Sequence, residues 1–362
     1  MSKNLLKSLI NVTERAANIA RACRANEDLL ALLVQEKSAD EANPRFVHDF
    51  KTLADVLIQE TVRHYIGNEF PEIKDHIKGE ESSSFTNKLG ETVTVEIGET
   101  PTDTADCLEK VLDGKRSAAE VLAEEVHRFV DFTSQVGDIP DLPDDLNYGD
   151  IGIWIDPIDA TSEYISGDSI FTNFPGITST GLDCVTVLIG AYSLSGGQPM
   201  IGVVSQPFHN KIEENVYKSL LFWGVCLESM EAHNCPEDIT LRPSNLGIFS
   251  TSENSDILQK IMGLGYEFAF SAGAGHKALK VITGEVDLYL LSKGSTFKWD
   301  TCGPQAILKS LGGDIFDYQK SLEAKAPVPV SYLEEEEKCN AGGLIVVRNM
   351  ELIAPLLEHL SQ

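Results

Sequence analysis

Cations, paired cysteines and long apolar runs are all scarce in this chain of 362 residues. It carries 29 Lys and Arg against 56 Asp and Glu, a formal net charge of -27. Nothing in that balance neutralises phosphates in bulk, which excludes nucleic acid and acidic membrane surfaces as partners. An anionic substrate would need local cations, either metal ions or a few placed lysines. Most of the acidic excess reads as solvated surface. The seven cysteines (Cys23, Cys107, Cys184, Cys226, Cys235, Cys302, Cys339) are odd in number, widely spread and without a CxxC. They form neither a disulfide framework nor a zinc site, and they fit a reducing cytosol or nucleus. No run reaches the length of a membrane span. The segment from Met1 to Arg24 is amphipathic and lacks the continuous apolar core of a signal peptide. A soluble cytoplasmic protein is the expectation.

Hydrophobic residues make up 42% and charged residues 23%, as in ordinary globular chains. The length exceeds what one core usually serves, so two packed domains or one large layered unit are expected. The polar stretch His233 to Arg242 is read as the junction, giving an N-terminal unit over 1–238 and a C-terminal unit over 239–362.

The most informative stretch is Trp154-Ile-Asp-Pro-Ile-Asp-Ala-Thr161. The apolar run Ile151 to Ile155 reads as a buried strand that Pro157 stops. Asp156 and Asp159 then stand where the backbone turns. Two carboxylates and a backbone carbonyl between them are the oxygen ligands a hard divalent cation takes. Ala160 and Thr161 offer backbone N–H groups to an anion, and Thr161 a hydroxyl. An Asp-rich turn with no further role would use the same residue types.

Around it the chain is legible in outline. Residues 3 to about 36 have helical spacing of Leu5, Leu6, Leu9, Ile10, Ala16, Ala17, Ala20 and Cys23; Lys37 to Pro44 is a connection. A helix follows with Asp55 near its start, where Asp also serves as a dipole-favoured or capping residue. Glu80 and Glu81 follow a short strand, 75–78. Residues 85–98 suggest a hairpin strand and 102–133 a helical region. An acidic loop, 138–150, feeds the central strand. A Gly- and Ser-rich loop runs to Gly181. Val185–Tyr192 and Met200–Ser205 are strands of a hairpin, and Phe222–Cys226 is a short strand. In the second half, Leu246–Ser250 is a strand and Ser252 the N-cap of a helix through Met262. The turn Ala272-Gly-Ala-Gly-His-Lys277 opens a helix, where an anion can approach the backbone and Lys277 can reach it; a plain strand-to-helix connection, with Lys277 an exposed helix lysine, reads equally from the residues. A strand over 284–291 follows, then a short one ending at Asp300, a helix from Cys302 to Leu311, an exposed acidic run at 334–337, a strand over 342–347 and a last helix, 350–360. His276 and Asp287 read as structural.

Asp55, then Gly-Glu80-Glu81, then Trp-Ile-Asp156-Pro-Ile-Asp159-x-Thr161, then Trp-Asp300 form an ordered set. That set resembles the lithium-sensitive, magnesium-dependent phosphomonoesterase superfamily, which includes inositol monophosphatases, fructose bisphosphatases and bisphosphate nucleotidases. The stretches 16–24, 49–57, 181–190, 272–275 and 296–300 are most similar to its members that act on inositol polyphosphates. The pattern of that subgroup has Ser where Ala160 stands, so one hydroxyl is lost while the N–H remains. The chain is also shorter than is usual there between about Phe208 and Leu246.

The resemblance implies a five-layer alternating α-β-α-β-α sandwich with the active site between its halves. It implies two to three magnesium ions: one on Glu80, Asp156 and the carbonyl of Ile158, a second on Asp156, Asp159 and Asp300, and a weaker third near Glu80, with lithium inhibitory. Asp55 and Thr161, with Glu80, are implied in activating the attacking water. Asp159, Ala160, Thr161, Ser252, Gly273, Ala274, Lys277 and Ser295 are implied as substrate contacts, Lys277 to a remaining phosphate. The implied activity is removal of the 1-phosphate from inositol 1,4-bisphosphate and inositol 1,3,4-trisphosphate by a monomeric enzyme. A 3′(2′),5′-bisphosphate nucleotidase shares the same metal core. A metal-binding protein without turnover would be free to lose Asp55 or Thr161, which are intact.

Overall fold

Alternation of apolar residues along the long strands puts two separate cores on the two faces of one sheet. The computed structural model describes residues 3–25, 30, 34–37, 50–236, 245–333 and 337–361. The calls on Asp49, on the boundary at 238/239 and on most of the 334–337 run lie outside them.

The first half begins with helix α1 (Leu5–Arg24), followed by strands β1 (Val34–Glu36) and β2 (Phe50–Thr52) and helix α2 (Leu53–Glu69). Helix α1 ends at Arg24, Leu30 is helical again, and 34–36 pair antiparallel with 50–52 instead of continuing as helix. Strands β3 (Ile77–Gly79), β4 (Ser84–Thr86) and β5 (Thr92–Thr94) lead to helices α3 (Pro101–Val111) and α4 (Arg116–His127). The helical region 102–133 is cut in two at Asp113 and Gly114, both at positive φ. Next come β6 (Ile151–Asp159), α5 (Thr161–Ser166), β7 (Ile170–Phe171), β8 (Thr178–Thr180), β9 (Thr186–Ser193), β10 (Pro199–Glu213), β11 (Val216–Leu227) and β12 (Met230–His233).

The second half runs β13 (Leu246–Phe249), α6 (Ser255–Gly263), β14 (Glu267–Phe270), α7 (Ala274–Ile282), β15 (Leu288–Leu291), α8 (Lys298–Ser310), β16 (Asp314–Asp317), α9 (Tyr318–Ala324), β17 (Leu344–Val347) and α10 (Ile353–Leu360). Asn254, not Ser252, caps α6, its side chain accepting from the amide of Asp256. The short strand expected at 296–300 is instead the entry to α8, so Asp300 lies in a first helical turn.

A six-stranded sheet has the order β12-β11-β10-β9-β6-β3, and a five-stranded sheet the order β14-β13-β15-β17-β16. One face of the larger sheet (Ile151, Ile153, Ile155, Ile189, Ile201) buries against α1 and α2 through Leu5, Leu9, Val62 and Ile66. Its other face (Trp154, Leu188, Val204, Phe222) meets α7 and α8 through Leu279, Cys302 and Ile307. Those helices in turn cover Ile248, Tyr289 and Val346 of the smaller sheet. The far face of that sheet packs on α6 and α10 through Ile261, Leu356 and Leu357. The layers are thus helix, sheet, helix, sheet, helix, as the resemblance implied.

Strand β6 does not stop at Pro157. It continues to Asp159, with a register shift against β9 between Asp156 and Asp159. Its pairing with β3 ends at Ile155, so the missing proline N–H interrupts no ladder there.

A candidate metal centre of buried carboxylates

The bulge at Pro157 determines where the carboxylates point. Asp156, Asp159 and Asp300 each bring one oxygen within 4.8 Å of the others. Asp156 and Asp159 are buried, while Asp300 is half-buried. Asp156 leaves Oδ1 buried without a hydrogen-bond partner. Burial, with the charges of Glu80, Asp159 and Asp300, pushes its carboxyl far above the ordinary range. Burial, then Asp159, raises Asp300 in the same way, against the amide of Phe297 that donates to its Oδ2 at 2.6 Å. Three facing carboxylates and an orphaned buried oxygen are a donor set that a hard cation satisfies.

Asp159 is also raised by burial but is held by donors: Gly275 N at 2.8 Å and Thr186 Oγ1 at 3.1 Å on Oδ2, and Ala274 N at 3.2 Å on Oδ1. The glycine-rich turn thus grips a carboxylate of the other half. Gly273 stands at φ +76°, and a Cβ there would meet the Cys184 carbonyl at 2.7 Å, so the turn requires glycine.

Glu80 lies beside this trio and not within it. Its Oε1 receives Lys37 Nζ at 2.5 Å, and Lys37 also reaches Glu81 at 2.7 Å. Gln59 fixes the backbone of that pair, accepting from Glu81 N at 2.9 Å and donating to Glu81 O at 2.5 Å. Burial, then the Glu80 charge, pushes Glu81 up to about 8.

Asp55 occupies the first turn of α2 in a capping box with Thr52. Its Oδ2 accepts from Thr52 N at 2.7 Å and Thr52 Oγ1 at 2.6 Å. Its Oδ1 stays buried and unpartnered. Burial, set against the Thr52 hydroxyl, pushes this carboxyl up to about 7. The capping role and the candidate site role therefore belong to different oxygens of one side chain. Thr161 donates its hydroxyl to the Ile158 carbonyl at 3.0 Å, so the carbonyl expected as a metal ligand already has one partner. Ala160 adopts φ 68°, the left-handed step that turns the chain from β6 into α5.

The remaining expected contacts fall in two groups. Gly273 and Ala274 touch the trio through the turn. Ser252, exposed, and Ser295, half-buried, lie in loops after β13 and β15. Lys277 is not the exposed helix lysine of the alternative reading, and its charge acts on Asp159 and Asp300. It is buried, and its ammonium donates to Gly273 O at 2.6 Å and Ser271 O at 3.2 Å. Lys37, Gln59 and Thr186 were missed. Only the placement of Thr186 across from Asp159 in the β6–β9 ladder marks one of them, and that register is invisible without the fold.

Layered sheets and helices with a buried carboxylate trio on a strand-end bulge define a class of α/β proteins built to hold divalent cations. A model of the inositol monophosphatase family matches residues 59–362, and the chain belongs to that family. It is 38% identical to an inositol polyphosphate 1-phosphatase of Homo sapiens, over 99% of this chain and 97% of that protein. It is 26% identical to a 3'(2'),5'-bisphosphate nucleotidase 1 of Rattus norvegicus, over 97% of this chain and 92% of that protein. Among solved structures, the extragenic suppressor protein suhB of Bartonella henselae superposes with a TM-score of 0.55 at 13% identity, over 99% of this chain and 98% of that one, a likeness of fold. Among the described residues, no helix is long and apolar enough to cross a membrane.

Proposed function

We propose that this protein is a magnesium-dependent phosphomonoesterase that removes the 1-phosphate from inositol 1,4-bisphosphate and inositol 1,3,4-trisphosphate. The reading is carried by likeness over nearly the whole chain to an inositol polyphosphate 1-phosphatase, joined to the Asp156, Asp159 and Asp300 trio. Glu80, Asp156 and the Ile158 carbonyl would hold one ion, Asp156, Asp159 and Asp300 a second, and the surroundings of Glu80 a weaker third, with lithium inhibitory. Bound there, magnesium would neutralise the phosphate dianion and help to activate the attacking water.

The chain's own residues do the rest. Asp55, with one free buried oxygen and a carboxyl raised to about 7, suits a general base at neutral pH. Thr161 exchanges its bond to the Ile158 carbonyl for a water and orients it toward Asp55. The N–H groups of Ala160 and Thr161 hold the phosphate. The cysteines, all free among the described residues, suit a cytosolic protein, and the enzyme acts as a monomer.

Phosphate release with magnesium is to be followed from inositol 1,4-bisphosphate and adenosine 3′,5′-bisphosphate in parallel. Turnover of the inositol substrate alone is expected; turnover of the nucleotide alone would overturn the substrate and leave the metal site standing. Thr161→Ala should lower kcat by about 10²- to 10⁴-fold, and a change confined to KM would remove Thr161 from the water.

A further inference from the structure

We propose that Asn340 is a positioning residue for Asp300: a strap over 338–340 holds the entry of α8 and so sets the affinity for the second magnesium ion. The inference rests on the function proposed above and deepens it, naming a residue outside the carboxylate trio on which one of its ions depends. Asp300 needs outside support because its own helix gives little. The N-cap of α8 is Phe297, whose side chain has no acceptor for the orphaned amides of the first turn. Pro304 has no N–H to offer the Asp300 carbonyl four residues earlier. What orients the Asp300 carboxylate is the amide of Phe297, which donates to its Oδ2 at 2.6 Å. That aim holds while Phe297 keeps its extended backbone, φ -126° and ψ 176°.

The strap supplies the support. Asn340 N donates to Thr296 O at 2.8 Å, the carbonyl of the same peptide whose N–H holds Asp300. Asn340 Nδ2 donates to Phe297 O at 2.8 Å and to Thr296 Oγ1 at 3.3 Å. One asparagine thus grips the peptides on both sides of Phe297 and fixes its backbone angles. Cys339 bridges antiparallel to Phe297, and Lys298 N donates to Lys338 O at 2.9 Å, so the strap lies along the whole entry.

The strap is anchored at its far end. Gly343 N donates to Asn340 O at 3.0 Å, Tyr318 N to Gly343 O at 3.1 Å and Gln319 N to Gly342 O at 3.0 Å, which fastens it to the start of α9. A Cβ on Gly294 would lie 2.7 Å from Ala341 Cα, so the loop after β15 closes on it as well. Asn340 and Thr296 are both buried, where a hydrogen bond is stronger than in water. Groups that orient a ligand without touching the metal tune its affinity, and Asn340 stands in that relation to Asp300.

The test is titration calorimetry of the full chain with magnesium, comparing wild type, Asn340→Ala and Asn340→Ser, with thermal denaturation in chelator alongside. Loss of the amide grip is expected to weaken the second ion by about 3- to 10-fold, the worth of a neutral hydrogen bond. The first ion, on Glu80, Asp156 and the Ile158 carbonyl, should stay within about twofold of wild type. Asn340→Ser keeps a small polar group in the gap, stops short of the Phe297 carbonyl, and reads the same loss should Asn340→Ala not fold. Thr100→Ala, which removes the side-chain cap of α3, should lower thermal stability and move neither ion. Second-ion affinity within about twofold of wild type in the Asn340 variants overturns the proposal. So does an equal weakening of both ions, which would make Asn340 a support of the fold at large. Wild type that takes up no second ion overturns the parent metal assignment and this proposal together, and is seen in the control alone.

Discussion

Asp156 carries a buried oxygen with no donor and feels the charges of four other carboxylates, Glu80, Asp159, Asp300 and Asp55. Such an arrangement is tuned for a cation at the expense of the fold. Asp156→Asn should lower turnover by at least about 10³-fold while raising the melting temperature in chelator by about 2 to 4 °C; a lower melting temperature would make Asp156 structural. Ala160 holds a left-handed φ of 68°, which costs a residue with a Cβ about 1–2 kcal/mol. Glycine adds about 0.4–1 kcal/mol of unfolded-state entropy. Ala160→Gly should therefore stabilise the protein by about 0.5–1 kcal/mol in urea denaturation with activity kept, since the N–H is unchanged; destabilisation would show that the Ala160 methyl is packed to advantage. At this scale the clustered acids Asp156, Asp159 and Asp300 were legible because each is a chemically costly residue at an element end. The donors that hold them were not: Thr186, Gln59 and Lys37 are ordinary residues until the fold brings them across to a carboxylate.

Helix α8 carries Asp300, and its backbone rests directly on the larger sheet. A Cβ on Gly202 would lie 2.0 Å from the Gly303 carbonyl, and one on Gly190 2.3 Å from the Gly303 amide. Gly202→Ala must push α8 off the sheet and Asp300 with it. A cost of about 1–3 kcal/mol is expected, read by thermal denaturation in chelator, together with weaker magnesium binding read by titration calorimetry. Wild-type magnesium affinity in a destabilised variant would separate the helix from the site. Long periodic elements such as α1 and α2, and the apolar strands β6, β9 and β10, were readable from pattern alone. Elements of three or four residues were not. β12 hides in the polar stretch before the junction, and β16 and α9 carry too little periodicity to stand out. The start of α8 was misplaced because Lys298-Trp-Asp300 resembles a strand end when the packing beneath it is unknown.

Protonation acts on the molecule as a whole. Asp55, Asp156, Asp159 and Asp300 are all raised, chiefly by burial. The folded chain without divalent cation thus binds protons that the unfolded chain has released. For Asp55 the stability this gives is full below about pH 4 and is lost as pH rises through about 7; Asp156, Asp159 and Asp300 act in the same sense. Each tenfold difference in proton affinity corresponds to about 1.4 kcal/mol. His276 acts in the opposite sense, because burial lowers it: its contribution is present above about pH 6.5 and lost below. Glu81, Glu163, Asp183 and Asp314 are raised as well, so the carboxyls outnumber the lowered imidazoles of His64, His127 and His276, and melting in chelator should be higher at pH 5.5 than at pH 8. Saturating magnesium, which binds deprotonated carboxylates, should reverse that order. Higher stability at pH 8 in chelator would mean that the carboxyls are ionised in the folded chain. The two-faced larger sheet has a further consequence, for how the protein is made. Its inner face is covered by α7 and α8, which begin only at Ala274 and Lys298. On the ribosome, a nascent chain that has already emitted β12 still presents Trp154, Leu188, Val204 and Phe222 uncovered. At about 5–20 residues per second, that surface waits several seconds for its lid. Holdase chaperones should meet this protein as a half-finished chain, before it has a metal site to protect.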